Sequence, residues 1–358
     1  MSDIFYFIIR GKIYFIYFFI VLIILNASSL YAFEIRSCIK AGDTYSISWE
    51  PVLNATKYML EEDTAQNFLN ASNIYSGTDT IKYFPGKAYG KYYYRVKSFI
   101  GANLNEISNN IIIYIEPVFI DFVSIPAGTF TMGGNTPASA SPSRSVTLTT
   151  PFQMSKYEIT NEQYAAFLNA YKQSTVKSGQ YAGQIMIYSH SDWGVVQNGS
   201  QWVPAAGKEK FPAINVTWYG ANEFADYYGL KLPTEAQWEY ACRANTTTMF
   251  YWGESWEPIN DYEWYQSNSN SVPHQVGQKK PNAFGLYDMT GNIKEWCADW
   301  YGTYSNLSET NPIGPANGSD RVLRSGAFND SYYSFQTTCR SWRPPSYKAN
   351  SFGFRVVK

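Results

Sequence analysis

The sequence predicts an α+β protein with an N-terminal all-β sandwich domain, and three observations predict it. Between residues 33 and 115, short β-branched and aromatic runs alternate with turn residues: TYSISW (44–49), KYMLEE (57–62), KYYYRVKSF (91–99) and NIIIYI (110–115). Regular short strands of this kind build a sandwich. From residue 122 the texture changes to glycine-punctuated strands such as PAGTFTMGG (126–134), interrupted by segments that carry helix-start signals. The last third returns to turns and short strands and ends in GFRVV.

Taken in order, residues 1–32 read as a signal peptide or membrane anchor. Arg10 and Lys12 precede an apolar run, 13–25, which ends in the small residues Asn26-Ala27-Ser28-Ser29. That layout directs export, with cleavage expected after Ala32 or with anchoring retained through residues 4–25. Either way the remainder is expected to be secreted, periplasmic or cell-envelope associated. The sandwich occupies 33–116, and Glu116-Pro117 starts a linker. Trp49, with Tyr92 or Tyr94 leading into Arg95-Val96, resembles the core tryptophan and corner tyrosine of a fibronectin type III module. No loop of the sandwich carries a histidine, cysteine or acidic cluster, which suits a spacer or adhesion module.

In the second domain, 122–358, Thr160 is placed to cap a helix, with Gln163 completing a capping box in TNEQ. Thr234 and Gln237 do the same in TEAQ, and Trp238, Ala241 and Cys242 then share one helical face, with Trp238 expected in the core. A further helix is expected over 218–228, stopping at Gly229.

At 358 residues the chain has room for two domains. Its formal net charge is −1 and its 28 basic residues are scattered, which argues against a nucleic-acid partner. Aromatic residues make up 18% of the chain, a share that suits both strands and ligand-stacking surfaces. Four cysteines in an exported chain permit disulfides without choosing a pairing. Lys156, Glu158 and Glu162 flank a helix start, where acidic residues suit the dipole and need no further role. Arg340 and Arg343 suit an anionic ligand or acidic neighbours equally. Tyr332, Tyr333, Phe335 and Trp342 suit a binding groove or core packing.

The blocks IPAGTFTMGG, KYEITNEQYAAF, FPAINVTW, LKLPTEAQWEYACR, PNAFGLYDMTGNIKEWCADWY, RVLRSGAF and FGFRVV follow one another in this order. This region resembles the formylglycine-generating enzyme (sulfatase-modifying factor) family, which is similar in turn to C-type lectins: a loop-rich, C-type-lectin-like α+β fold. The resemblance implies that catalysis would rest on a cysteine pair that binds copper(I), since soft thiolates select that ion. Aligned from Gly326, the two positions fall on Asp330 and Phe335, and Cys339 is the only cysteine after Cys297. The family's active-site serine is Ala327 here, and its tryptophan in GNAWEW is Lys294. Relatives that make sulfoxides use a histidine triad, but this chain has only His190 and His274. Copper is therefore not expected, and no catalytic residue is assigned.

The same resemblance implies a structural calcium site in DMTGNIKE, through the side chains of Asp288 and Glu295 and the carbonyls of Gly291 and Ile293, all hard oxygen ligands. It also implies a bridge between Cys242 and Cys339, with Cys297 an equal alternative partner. The function expected is that of an exported, non-catalytic sulfatase-modifying-factor-like protein that binds a protein or glycan on a calcium-stabilised scaffold. The alternatives are a formylglycine-generating or related oxidase acting on a sulfatase-type cysteine, and a structural envelope component.

Overall fold

The computed structural model describes residues 6–9, 12–15, 22–25, 36–40, 45–49, 51–64, 67–84, 90–107, 111–116, 120–134 and 136–358. The chain divides into two compact units, Met1–Phe119 and Ile120–Lys358. Much of the expected leader lies outside the described residues, which include the strands Tyr6–Ile9, Lys12–Phe15 and Leu22–Leu25 from it. Among the described residues no helix is long and apolar enough to cross a membrane.

In the first unit one sheet runs in the order Arg36–Lys40, Ile111–Glu116, Gly90–Ile100, Lys57–Asp63, Ser72–Gly77, with Asn103–Ile107 also paired to Gly90–Ile100. A second sheet joins Leu22–Leu25, Tyr45–Trp49 and Ile81–Phe84. Strand alternation sends one face of each sheet inward, so Tyr58, Leu60, Tyr94 and Val96 from the first meet Ile47, Trp49 and Phe84 from the second in one buried cluster. Trp49 packs 5.8 Å from Tyr58 between ring centroids, and Tyr94 packs 5.7 Å from Phe84. Of the two candidate tyrosines, Tyr94 is the fully buried one.

Among its described residues the second unit has three helices of two or more turns: α1 (Asn161–Tyr171), α2 (Trp218–Tyr227) and α3 (Glu235–Arg243). Both capping boxes form. The Thr160 hydroxyl accepts from Gln163 N at 3.4 Å while Gln163 Oε1 accepts from Thr160 N at 2.7 Å. At Thr234 and Gln237 the same distances are 3.1 and 2.9 Å. The Thr217 hydroxyl starts α2 by accepting from Gly220 N, and Gly229 lies just beyond its end with φ +67°.

A four-stranded sheet, in the order Arg340–Arg343, Arg321–Arg324, Lys294–Trp300, Phe352–Gly353, carries the loops of interest. Phe167, Phe224, Trp296 and Phe354 belong to a core that α1 and α2 share with this sheet. Trp238, Cys242, Met289, Cys297 and Val322 belong to a second core beside α3. Full burial of each such aromatic ring stabilises by roughly 1.5–3 kcal/mol.

From α3 extends a buried ion network. Glu235 accepts from Arg340 through both oxygens, at 2.8 and 2.6 Å, and from Arg324 at 3.0 Å. Glu239 accepts from Arg324 and Arg243, both at 2.9 Å. Burial alone would raise the Glu235 carboxyl; the charges of Arg340 and Arg324 outweigh it and hold the group below the usual carboxylate range.

Candidate functional site

The strand Arg321–Arg324 runs into Ser325, at φ +75°, and Gly326, and from there the chain enters the segment where the sequence alignment placed the thiolate pair. Asp330 is locked. Its Oδ2 accepts from Ala327 N at 3.0 Å and from the ammonium of Lys294, which projects from the neighbouring strand. Phe335 is fully buried against Phe250, Ile259 and Tyr265. One position is thus held by an ion pair and the other by a core ring. Neither side chain is a soft ligand.

Cys339 does not restore a pair. Its Sγ donates to the Tyr333 carbonyl at 3.2 Å, and burial raises its thiol above the ordinary range. Cys242, Cys297 and Cys339 are free thiols, so the bridge expected between Cys242 and Cys339 is not formed, nor one from Cys297. Cys242 and Cys297 are fully buried in the core beside α3, whereas Cys339 belongs to the loop bearing Tyr333. Cys38 lies where side chains are not described.

The loop 288–295 lies in a buried acidic neighbourhood. Asp288 has φ +54°, accepts from Gly277 N at 2.7 Å through Oδ2, and leaves Oδ1 buried without a hydrogen-bond partner. Burial pushes its carboxyl up to about 6. Glu295 is different: Arg355 donates to both its oxygens at 2.7–2.9 Å, and Trp238 Nε1 donates to Oε2 at 2.7 Å. Of the two side chains expected to ligate calcium, only Asp288 therefore presents an unengaged oxygen. The Gly291 carbonyl accepts from Ser325 Oγ at 3.3 Å, and Ile293 N donates to Glu158 Oε1 at 3.2 Å.

Sequence reading missed two members of this neighbourhood. Glu158, assigned only to a helix start, is fully buried and also accepts from Asn292 Nδ2 at 2.7 Å. Burial, then the charges of Asp288 and Glu295, push its carboxyl well above the usual range. Glu263 is likewise buried; burial and then the Asp288 charge push it up to about 8, and its Oε2 has no partner. Gly291 is required here, because a Cβ would lie 2.4 Å from that oxygen. The spacing of Glu158 and Glu263 from the loop gave no local signal. Among the described residues no group of three or more His, Cys, Asp or Glu side chains is gathered so as to hold a metal ion, so a cation here would rest on Asp288 Oδ1 and backbone carbonyls, not on a closed set of carboxylates.

The aromatic run divides. Phe335 is core, whereas Tyr333 is 63% and Trp342 37% exposed. Tyr332 stacks on Tyr333 and on Trp256, at centroid distances of 4.1 and 4.9 Å, and Trp342 stacks on Tyr301 at 4.0 Å. The two arginines divide as well: Arg340 is consumed by Glu235, and exposed Arg343 lies over Tyr347.

Capped helices packed on a small sheet, with polar groups carried on its loops, form the frame on which the sequence blocks quoted above lie. The chain belongs to the sulfatase-modifying factor family: residues 117–358 match the sulfatase-modifying factor enzyme 1-like domain. It is 31% identical to the formylglycine-generating enzyme of Mus musculus, over 66% of this chain and 74% of that protein. It is 30% identical to the formylglycine-generating enzyme of Thermomonospora curvata, over 66% of this chain and 92% of that protein. The solved structure of Treponema denticola variable protein 1 superposes with TM-score 0.54 at 25% identity, covering 67% of this chain and 95% of that one.

Proposed function

We propose that this protein is a non-catalytic member of its family that binds a protein or glycan ligand on the aromatic face around Tyr333 and Trp342. One observation carries the reading: the Lys294–Asp330 ion pair and the buried Phe335 ring fill the two positions that the resemblance reserves for copper thiolates. A site filled this way offers no soft ligand and no open coordination position. Beside it, the stacks of Trp256, Tyr332 and Tyr333 and of Tyr301 and Trp342 expose flat rings, which contribute large contact area at low conformational cost.

Calcium is part of the proposal, held at Asp288 with the carbonyls of Gly291 and Ile293, beside Glu295, whose charge Arg355 offsets, and beside the raised carboxyls of Glu158 and Glu263. The first unit is read as a fibronectin type III-like spacer, on the strength of its two sheets sharing Trp49 and Tyr94, and the protein as exported, on the strength of its leader pattern.

The test is a Cu(I) titration of the purified protein, followed by mass spectrometry of a Cys-x-Pro-x-Arg peptide incubated with it. We expect no stoichiometric copper uptake and an unmodified cysteine. Conversion of that cysteine would establish the oxidase reading, which the identity to formylglycine-generating enzymes favours.

A further inference from the structure

A cavity of about 470 Å³ opens in the second unit, lined by residues other than Asp330 and Phe335. Its wall is a three-layer stack: the guanidiniums of Arg144 and Arg340 lie 3.8 and 4.0 Å from the ring centroid of Tyr304. Arg340 is fully engaged with Glu235 and the Ser139 and Gly302 carbonyls. Arg144 is not. Its side chain is 7% exposed, its Nη1 is buried without a hydrogen-bond partner, and its Nε meets Glu309 Oε2 as an ion pair at 3.4 Å, outside hydrogen-bond geometry. A buried guanidinium with idle donors needs an acceptor, since each polar group left unsatisfied is costly.

Opposite in chemistry stands Asp299, at the end of the strand Lys294–Trp300 and also in the lining. One of its oxygens accepts from Glu235 N at 2.8 Å; the other faces Gly314, where an added Cβ would come within 3.1 Å of it. Gly314 keeps that approach open, and at φ +72° it holds a backbone conformation that favours glycine. Pro312, Ile313 and Trp300 give the same cavity apolar surface.

The charges decide the ligand class. Arg144 and Arg340 are met in the lining by Glu235, Glu309 and Asp299, so a further anion would meet carboxylates rather than an uncompensated positive site. Burial and then the Glu235 charge already push the Asp299 carboxyl up to about 7, so added negative charge is disfavoured there. A neutral polyol fits both sides, because each hydroxyl accepts from a guanidinium and donates to a carboxylate while the C–H face lies on rings and prolines.

We propose that this cavity binds a neutral mono- or disaccharide, with Arg144 donating to and Asp299 accepting from its hydroxyls and Pro312 and Ile313 carrying its apolar face. The cavity adjoins the aromatic face, since Arg340 in its wall lies 4.6 Å from the ring centroid of Tyr301, and it does not rest on the absence of catalysis.

Saturation-transfer NMR on the full chain tests it, with glucose, galactose, mannose, N-acetylglucosamine, lactose and maltose as probes at millimolar concentration. At least one sugar should receive saturation, and Arg144→Met should weaken its binding about tenfold or more, as expected for losing a hydrogen bond to a charged group. Ile313→Trp, at an exposed position of the rim, should block entry without touching the buried wall, which guards against a folding defect in the first variant. Acetate and phosphate should not compete. No transfer from any probe, transfer unaltered in both variants, or displacement by the anions would each overturn the assignment.

Discussion

Lys294 and Asp330 are partly exposed, 18% and 28% at the side chain, so their attraction is screened and small. We expect Lys294→Met and Asp330→Asn each to cost at most about 1 kcal/mol in urea unfolding, and the double variant less than their sum. Glu295 is the opposite case: Glu295→Gln leaves Arg355 buried and uncompensated and should cost about 3–5 kcal/mol by the same measurement. Asp299 supplies a pH signature. Its carboxyl is raised from 3.8 to about 7, so the unfolded chain releases this proton first as pH rises. Stability from this group is therefore complete below about pH 4 and is lost as pH climbs through 7, at about 1.4 kcal/mol per pH unit. Asp299→Asn should flatten the fall in melting temperature between pH 5 and 8; an unchanged slope would show that the group is not buried as described. At this scale the sequence was a poor guide wherever a partner lay far along the chain. Glu158 looked like a helix-dipole residue, and nothing local tied it to Asn292 or Asp288.

Helix starts are encoded in residues three apart, which is why α1 and α3 could be read with their boxes in advance. Thr160→Ala or Thr234→Ala should each cost about 1 kcal/mol, measurable in thermal or urea unfolding. The short turn Tyr332–Phe335 was not legible in the same way. Three aromatics among four residues of loop sequence carry no periodicity, and Phe335 is the inward one because Gly326 leaves room for its ring, with 2.9 Å from a would-be Cβ to Cε2. Phe335→Ala should cost about 3–5 kcal/mol while Tyr333→Ala, at an exposed position, costs almost none; equal effects would contradict the division between core and surface. The cysteines make a related point. Family likeness alone suggested a bridge, yet Cys242 lies within a closed core and Cys339 turns to a carbonyl of its own loop.

For the molecule as a whole, the acids around Asp288 predict a cation dependence confined to the second unit. Calorimetry of the full chain should show a transition that calcium raises and chelator lowers, and a second transition that neither moves; identical traces with and without the ion would remove calcium from the account. The network of Glu235, Glu239, Arg243, Arg324 and Arg340 leads to a different expectation. Its members are nearly fully buried, so mobile ions of the medium do not reach between them. Brine strong enough to abolish surface attractions should leave this interior lattice of charge intact, and the cost of keeping it dry diminishes with heating. As salinity shifts, the frame beneath the loops would then stay unchanged while the charges on the exterior come and go.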